Sequence, residues 1–261
     1  MQLTLQQYEE FDPRAEIEHA GTRMIFATPN AATKWRVDTI YEKEPCTLEW
    51  IATLGRDEVL FDVGANVGMY TIWAAATRGA RVFAFEPESQ NYALLNRNIL
   101  LNNLPDRVKA FCIGLSDKEE FTDLHMAGMA AGGSCHAVGA ALDYKHEPLT
   151  VGFQQGCVAY RLDDLVADGR LPVPNHIKID VDGIEAKVIA GARATLKSAA
   201  VKSLLIEVNP HLADHRAMVR ELEELGFTCD AAQVERATRK EGPFKGIAEH
   251  IFRRDSCSGG L

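Results

Sequence analysis

The stretch Val59-Leu60-Phe61-Asp62-Val63-Gly64-Ala65-Asn66-Val67-Gly68-Met69-Tyr70 constrains the fold of this 261-residue chain more than any other. A short apolar run ends in an acid, two glycines follow with three residues between them, and an alanine-rich helical pattern starts at about Tyr70. That order predicts a buried parallel strand, a tight turn and the first turn of a helix. Gly64 supplies the turn where a side chain would clash, and Gly68 lets backbone come close to a ligand or to the next helix. A helix N-terminus facing the carboxyl end of a strand is the usual ligand position in an open α/β sheet.

The pattern then repeats. Further strands are expected over 81–87, 108–113, 177–183 and 203–208, with helices over 70–78, from an N-cap at Ser89 to about 102, over 184–197 and over 215–225. Alternation at this interval implies right-handed βαβ units and a mostly parallel seven-stranded sheet with helices on both faces. Two strands near 228–231 and 250–253 finish it as an antiparallel pair, because no clear helical pattern joins them. Residues 1–55 do not alternate; apart from a short helix over 47–54 they read as a cap on the main domain, 56–254. Residues 118–160 read as an insertion with a hairpin or edge strands and a mobile Gly-rich middle, and 255–261 as a frayed tail.

A net charge of −9 argues against a nucleic-acid partner. The short basic groups Arg236-Arg239-Lys240 and Arg253-Arg254 read as solvated faces. No apolar run reaches the ~20 residues of a membrane helix, and no leader-like segment opens the sequence. Six scattered cysteines without a C-x-x-C pair fit neither a zinc knuckle nor a disulfide framework, and suit a reducing cytoplasm. The oligomeric state is not legible.

Three strand ends carry polar groups: Asp62, Glu86 and Ser116-Asp117. In a parallel sheet such ends line one crevice. A carboxylate at Glu86 can accept both hydroxyl hydrogens of a ribose, which serves nicotinamide cofactors equally well. The spacing Gly64-Ala65-Asn66-Val67-Gly68 lacks the G-x-G-x-x-G pattern of a pyrophosphate turn, and Asn66 offers an amide suited to an amino-acid carboxylate or ammonium.

These residues resemble a known family. Asp62-Val63-Gly64-Ala65-Asn66-Val67-Gly68 is similar to motif I of class I S-adenosylmethionine-dependent methyltransferases, the FkbM family in particular. Phe85-Glu86-Pro87, Ile177-Lys178-Ile179-Asp180-Val181-Asp182-Gly183-Ile184-Glu185 and Ile206-Glu207-Val208-Asn209 resemble its later blocks in the same order. The resemblance implies a class I, Rossmann-like methyltransferase domain and a cofactor site at Asp62, Gly64, Ala65, Asn66 and Gly68. It further implies Glu86 on the ribose, Ser116 and Asp117 beside the adenine, and Asp180 bordering the methyl-transfer position. The implied reaction is O-methylation of a sugar, polyketide or other small-molecule hydroxyl.

Such a displacement needs the acceptor oxygen held in line and its proton removed. The candidate bases are Asp180, Asp182, Glu207 and His211, with His136 in the Gly-rich loop behind them. Asp180, Asp182 and Glu207 could instead gather a hard cation such as Mg²⁺, although side chains flanking Val181 on a strand would point to opposite faces. Glu185 suits the positive end of its helix. A nicotinamide-dependent dehydrogenase and a non-catalytic S-adenosylmethionine binder stand as alternatives.

Overall fold

The computed structural model describes residues 4–254; the expected frayed tail lies outside the described residues. A short helix, α1 (Leu5–Glu10), precedes an antiparallel hairpin of β1 (Arg14–His19) and β2 (Thr22–Ala27), and three helices follow: α2 (Ala31–Asp38), α3 (Ile40–Lys43) and α4 (Pro45–Ala52). The hairpin was not expected. Its turn places Ala20 and Gly21 both at positive φ, 49° and 78°, the two-residue hairpin geometry usually marked by Asn or Asp at the first position. Alanine there conceals the signal.

The alternation begins with β3 (Val59–Val63), α5 (Met69–Arg78), β4 (Arg81–Phe85), α6 (Ser89–Leu101) and β5 (Val108–Phe111). The cap of α6 is Glu88 rather than Ser89: its carboxylate accepts from the backbone N–H of Gln90 and Asn91, satisfying two orphan donors of the first turn. The insertion forms a second sheet of β6 (Gly114–Leu115), β7 (Glu120–Met126), β8 (Ala137–Val138) and β9 (Phe153–Tyr160), in the order β6-β9-β7-β8.

Next come α7 (Leu162–Ala167), β10 (His176–Ile179), α8 (Glu185–Ala190), α9 (Arg193–Leu196), β11 (Ser203–Val208), α10 (Ala213–Glu224), β12 (Phe227–Cys229), α11 (Ala231–Ala237) and β13 (Ala248–Arg254). The single helix expected over 184–197 is broken at Gly191, where a Cβ would lie 2.0 Å from the Ser116 carbonyl oxygen. A helix, α11, does join the last two strands.

The main sheet has the order β12-β13-β11-β10-β3-β4-β5. Five adjacent strands, β11 to β5, pair in parallel, and β13 lies antiparallel between β11 and β12. Strand periodicity splits the core in two. Leu60, Val82, Ala84 and Leu205 meet α4, α5, α6 and the hairpin, including Trp50, Ile72 and Met24. Phe61, Phe83, Phe85, Ile179 and Ile206 face the other way, onto residues of α7, α8, α9 and α10. The amide of Asn98 on α6 donates to the Val67 carbonyl and accepts from the Ala27 N–H, both at 2.8 Å, joining the hairpin to the glycine turn. No described helix is long and apolar enough to cross a membrane.

Candidate active site

At the end of β3 the chain turns through Gly64 at φ +81°. A Cβ there would stand 1.9 Å from the Asp180 carbonyl oxygen, so only glycine lets β3 and the end of β10 approach. The Gly64 and Ala65 N–H groups donate to the Phe85 carbonyl at 2.9 and 3.0 Å. Asn66 follows at φ +50°, and its N–H donates to Glu86 Oε2 at 2.7 Å. Gly68 meets a helix, not a ligand: a Cβ there would sit 2.4 Å from Leu95 Cδ1 of α6.

Above this turn lies a cavity of about 410 Å³, within the range of cofactor and metabolite sites. Gly64, Asn66, Glu86, Asp180, Asp182 and Glu207 all line it. One part of the wall is apolar, built by Phe85, Ile113, Leu115, Leu124 and Val138. Glu86 is buried, both of its oxygens accept backbone N–H groups, from Asn66 and Glu88, and burial pushes its carboxyl up to about 7.

Ser116 and Asp117, expected here, do not line the cavity. The chain leaves β5 at Phe111 and enters the second sheet at Gly114, so Ile113, Gly114 and Leu115 take the wall position, and Ser116 packs against Gly191. Ala65 lines a small recess beside this cavity rather than the cavity itself, and Gly68 lines neither. Asp62 is buried behind the turn, where its Oδ2 accepts from Thr71 Oγ1 at 2.5 Å and its Oδ1 has no hydrogen-bond partner among the described residues. Burial raises its carboxyl, and Lys178, its neighbour across β10, pulls the other way.

The Gly-rich loop is tied down instead of free. The Gly133 carbonyl accepts from the side-chain amides of Asn66 at 2.6 Å and Asn91 at 3.2 Å; Asn91 also takes the Gly132 N–H at 2.7 Å. Asn30 donates to the Ala131 carbonyl and Arg36 Nε to that of Gly132, at 2.9 and 2.8 Å. The loop thereby closes one wall, and His136 and Ser134 line the cavity from it.

The acids at the ends of β10 and β11 differ sharply in environment. Lys178, 2 % exposed between Ile177 and Ile179, donates to Asp180 Oδ2 at 2.9 Å. Burial would raise the Asp180 carboxyl, but Lys178 and then Lys43 hold it well below the usual carboxylate range. Glu207 accepts from Arg239 at 2.7 Å, yet burial and the Asp180 charge outweigh that cation and push Glu207 well up. Asp182, at φ +58°, has no cationic partner within 4 Å among the described residues. It accepts the Cys135 N–H at 2.7 Å, and burial with the Asp180 charge pushes it up to about 7. Because its backbone is left-handed, strand alternation does not carry it to the opposite face.

His211 is exposed outside the cavity, its N–H bonded to Asn209 Oδ1. Arg239, expected on a solvated face, turns inward to pair with Glu207 and Glu249. Arg254 likewise donates to the Leu225 carbonyl and lies 4.3 Å above the Phe227 ring. Glu185 is buried, accepts the Val181 and Gly183 N–H groups, and lies 3.2 Å from His215 Nε2. The Asp180–Asp182–Glu207 trio does not suit a divalent cation as arranged. Lys178 and Arg239 occupy two of its carboxylates, and the ligand triad that does cluster among the described residues is His146, Asp214 and His215.

The family model of the methyltransferase FkbM domain matches residues 62–229, from the buried acid of β3 to the end of β12. The chain belongs to the FkbM methyltransferase family. It is therefore an S-adenosylmethionine-dependent methyltransferase, which sets aside the dehydrogenase and non-catalytic alternatives. This FkbM-family chain is 26 % identical over 219 residues to the hexuronic acid methyltransferase AglP of Haloferax volcanii, covering 84 % of each chain. It is also 26 % identical over 190 residues to the 31-O-demethyl-FK506 methyltransferase FkbM of Streptomyces tacrolimicus, covering 62 % of this chain and 73 % of that one. Among solved structures, an FkbM methyltransferase from Methylobacillus flagellatus superposes with a TM-score of 0.50 at 15 % identity, over 80 % of this chain and 50 % of that chain, a likeness of fold.

Proposed function

We propose that this methyltransferase acts on a hydroxyl oxygen of a small metabolite, a sugar or polyketide alcohol, with Asp182 rather than Asp180 or His211 as the base. The observation that carries the reading is Asp182 itself: a cavity-facing carboxylate without a cation and pushed up to about 7, the range in which a general base works best near neutrality. Asp180, held far lower by Lys178, is too weak a base and serves as a fixed negative charge.

S-adenosylmethionine, when bound, supplies an electrophilic methyl group on a sulfonium. Glu86 accepts the ribose hydroxyls, the apolar wall at Ile113 and Leu124 packs the adenine, and Gly64 and Asn66 flank the amino-acid end. Asp180 faces the positive end of the cofactor. Glu207, fixed by Arg239, and Ser134 of the loop border the acceptor space. Residues 1–55 act as a cap and 56–254 as the methyltransferase domain.

The relatives support a small-molecule acceptor: one is a hexuronic acid methyltransferase and one a 31-O-demethyl-FK506 methyltransferase. The net charge of −9 disfavours nucleic acid, and the six scattered cysteines, the five among the described residues all free, suit a reducing cytoplasm. We place no metal in the reaction. The test is acceptor-dependent release of S-adenosylhomocysteine across uronic acids, neutral sugars and polyketide alcohols, with and without a chelator. Turnover on nitrogen or carbon nucleophiles alone would sink the hydroxyl reading, and loss of turnover in chelator would sink the metal-free one.

A further inference from the structure

Beside the glycine turn the cavity runs into a small recess of about 40 Å³. The recess shares Arg36, Lys43, Gly64, Asn66 and Asp180 with the main cavity and has none of the apolar wall residues. Its charges are unbalanced: Arg36, Lys43 and Lys178 stand against the single acid Asp180. Two of those cations are already answered, Lys178 by Asp180 and Lys43 by the buried Glu44, at 2.9 and 2.5 Å. Arg36 is not. Its Nε donates to the Gly132 carbonyl, while its terminal amino groups have neither a hydrogen-bond partner nor an ion pair among the described residues.

A guanidinium with one edge fixed and the other open presents a planar fork, which matches a carboxylate in two parallel hydrogen bonds. We infer that Arg36 is the carboxylate anchor of the active site, taking the α-carboxylate at the amino-acid end of the cofactor. This rests on the cofactor reading above and extends it to a residue outside the 62–229 segment that defines the family. The placement follows from the walls. The nucleoside end needs Glu86 and the apolar residues, so the amino-acid end lies toward the glycine turn, where the recess opens and Arg36 is the one cation without an acid. Arg36 is a positioning residue, because it holds the end of the cofactor farthest from the adenine.

Calorimetric titration with S-adenosylhomocysteine and with 5′-methylthioadenosine, which lacks the amino-acid end, tests the assignment. The wild-type protein is expected to bind both, the first more tightly. Arg36→Gln is expected to weaken S-adenosylhomocysteine about ten-fold or more, the scale of a lost charge-assisted pair, while leaving 5′-methylthioadenosine unchanged. Arg36→Lys should recover part of the loss. Equal weakening of both ligands would show that Arg36 acts only through Gly132 and would overturn the inference, as would unchanged binding of S-adenosylhomocysteine. Failure of the wild-type protein to bind either nucleoside would instead bring down the cofactor reading, and the anchor with it.

Discussion

Lys178 Nζ donates to Asp180 Oδ2 at 2.9 Å across two residues at the end of β10, with the lysine almost wholly buried. A buried ion pair is strongly destabilising to break, on the order of 3–5 kcal/mol, because the remaining charge is left uncompensated. Asp180→Asn should therefore lower the melting temperature as well as abolish turnover. Adding Lys178→Met to that variant should restore stability without restoring turnover; denaturation curves of the single and double variants separate the two effects. Because the Asp180 carboxyl is held below its unfolded value, its contribution to stability is present above about pH 4 and is lost as pH falls toward the folded value.

For Asp182 the sign reverses. Its carboxyl is raised to about 7 by burial and by Asp180, so the folded state keeps a proton that the unfolded state has lost. Stability from this group is full below about pH 4 and falls as pH rises toward 7. Asp182→Asn should consequently stabilise the protein at pH 8, by on the order of 1 kcal/mol, while removing the rise of kcat with pH near 7. A variant whose pH–rate profile keeps that limb would exclude Asp182 as the base.

Glu86 holds two backbone N–H groups as well as facing the cavity. Glu86→Gln replaces one acceptor oxygen with a donor. Affinity for S-adenosylhomocysteine should drop ten-fold or more, in keeping with roughly 1.5–3 kcal/mol for a hydrogen bond to a charged group. Titration calorimetry reads it directly, and unchanged affinity would remove Glu86 from the ribose.

Gly64→Ala puts a Cβ against the Asp180 carbonyl oxygen at 1.9 Å, in a backbone region side chains rarely adopt. Both terms oppose folding, and the combined loss should reach several kcal/mol. Gly21→Ala, which meets nothing within 4 Å at a similar φ, should cost far less. Comparing their melting temperatures isolates the close approach of β3 and β10 from backbone strain alone.

The parallel half of the sheet was legible because its strands are buried on both faces and announce themselves as apolar runs between glycine and proline. Gly64, Glu86 and Asp180 line the cavity because each directly follows the last residue of such a strand. What escaped depends on contacts between distant segments. Lys178 carried a signal of its own, a lysine inside a buried strand that must find an acid. Arg36 carried none: its cavity position follows from a hairpin that its own turn residues disguise, and from a Gly-rich loop held by four side chains spread over residues 30–91. Arg239 looked like one of a basic surface group, and only the pairing of β13 beside β11 gives it Glu207 and Glu249 as partners.

That pairing has a consequence for how the chain comes into being. Strand β13 is the last of the seven in sequence order, yet it fills an interior position between β11 and β12. While the ribosome is still adding residues 230–247, β11 presents an unsatisfied edge, and Arg239 lacks its partner Glu249. The acceptor side of the site therefore cannot form before β13 has been made. A polypeptide arrested before Arg254 should expose a strand edge open to foreign pairing, so the soundness of this enzyme turns on the one strand that is made last and inserted between two earlier ones.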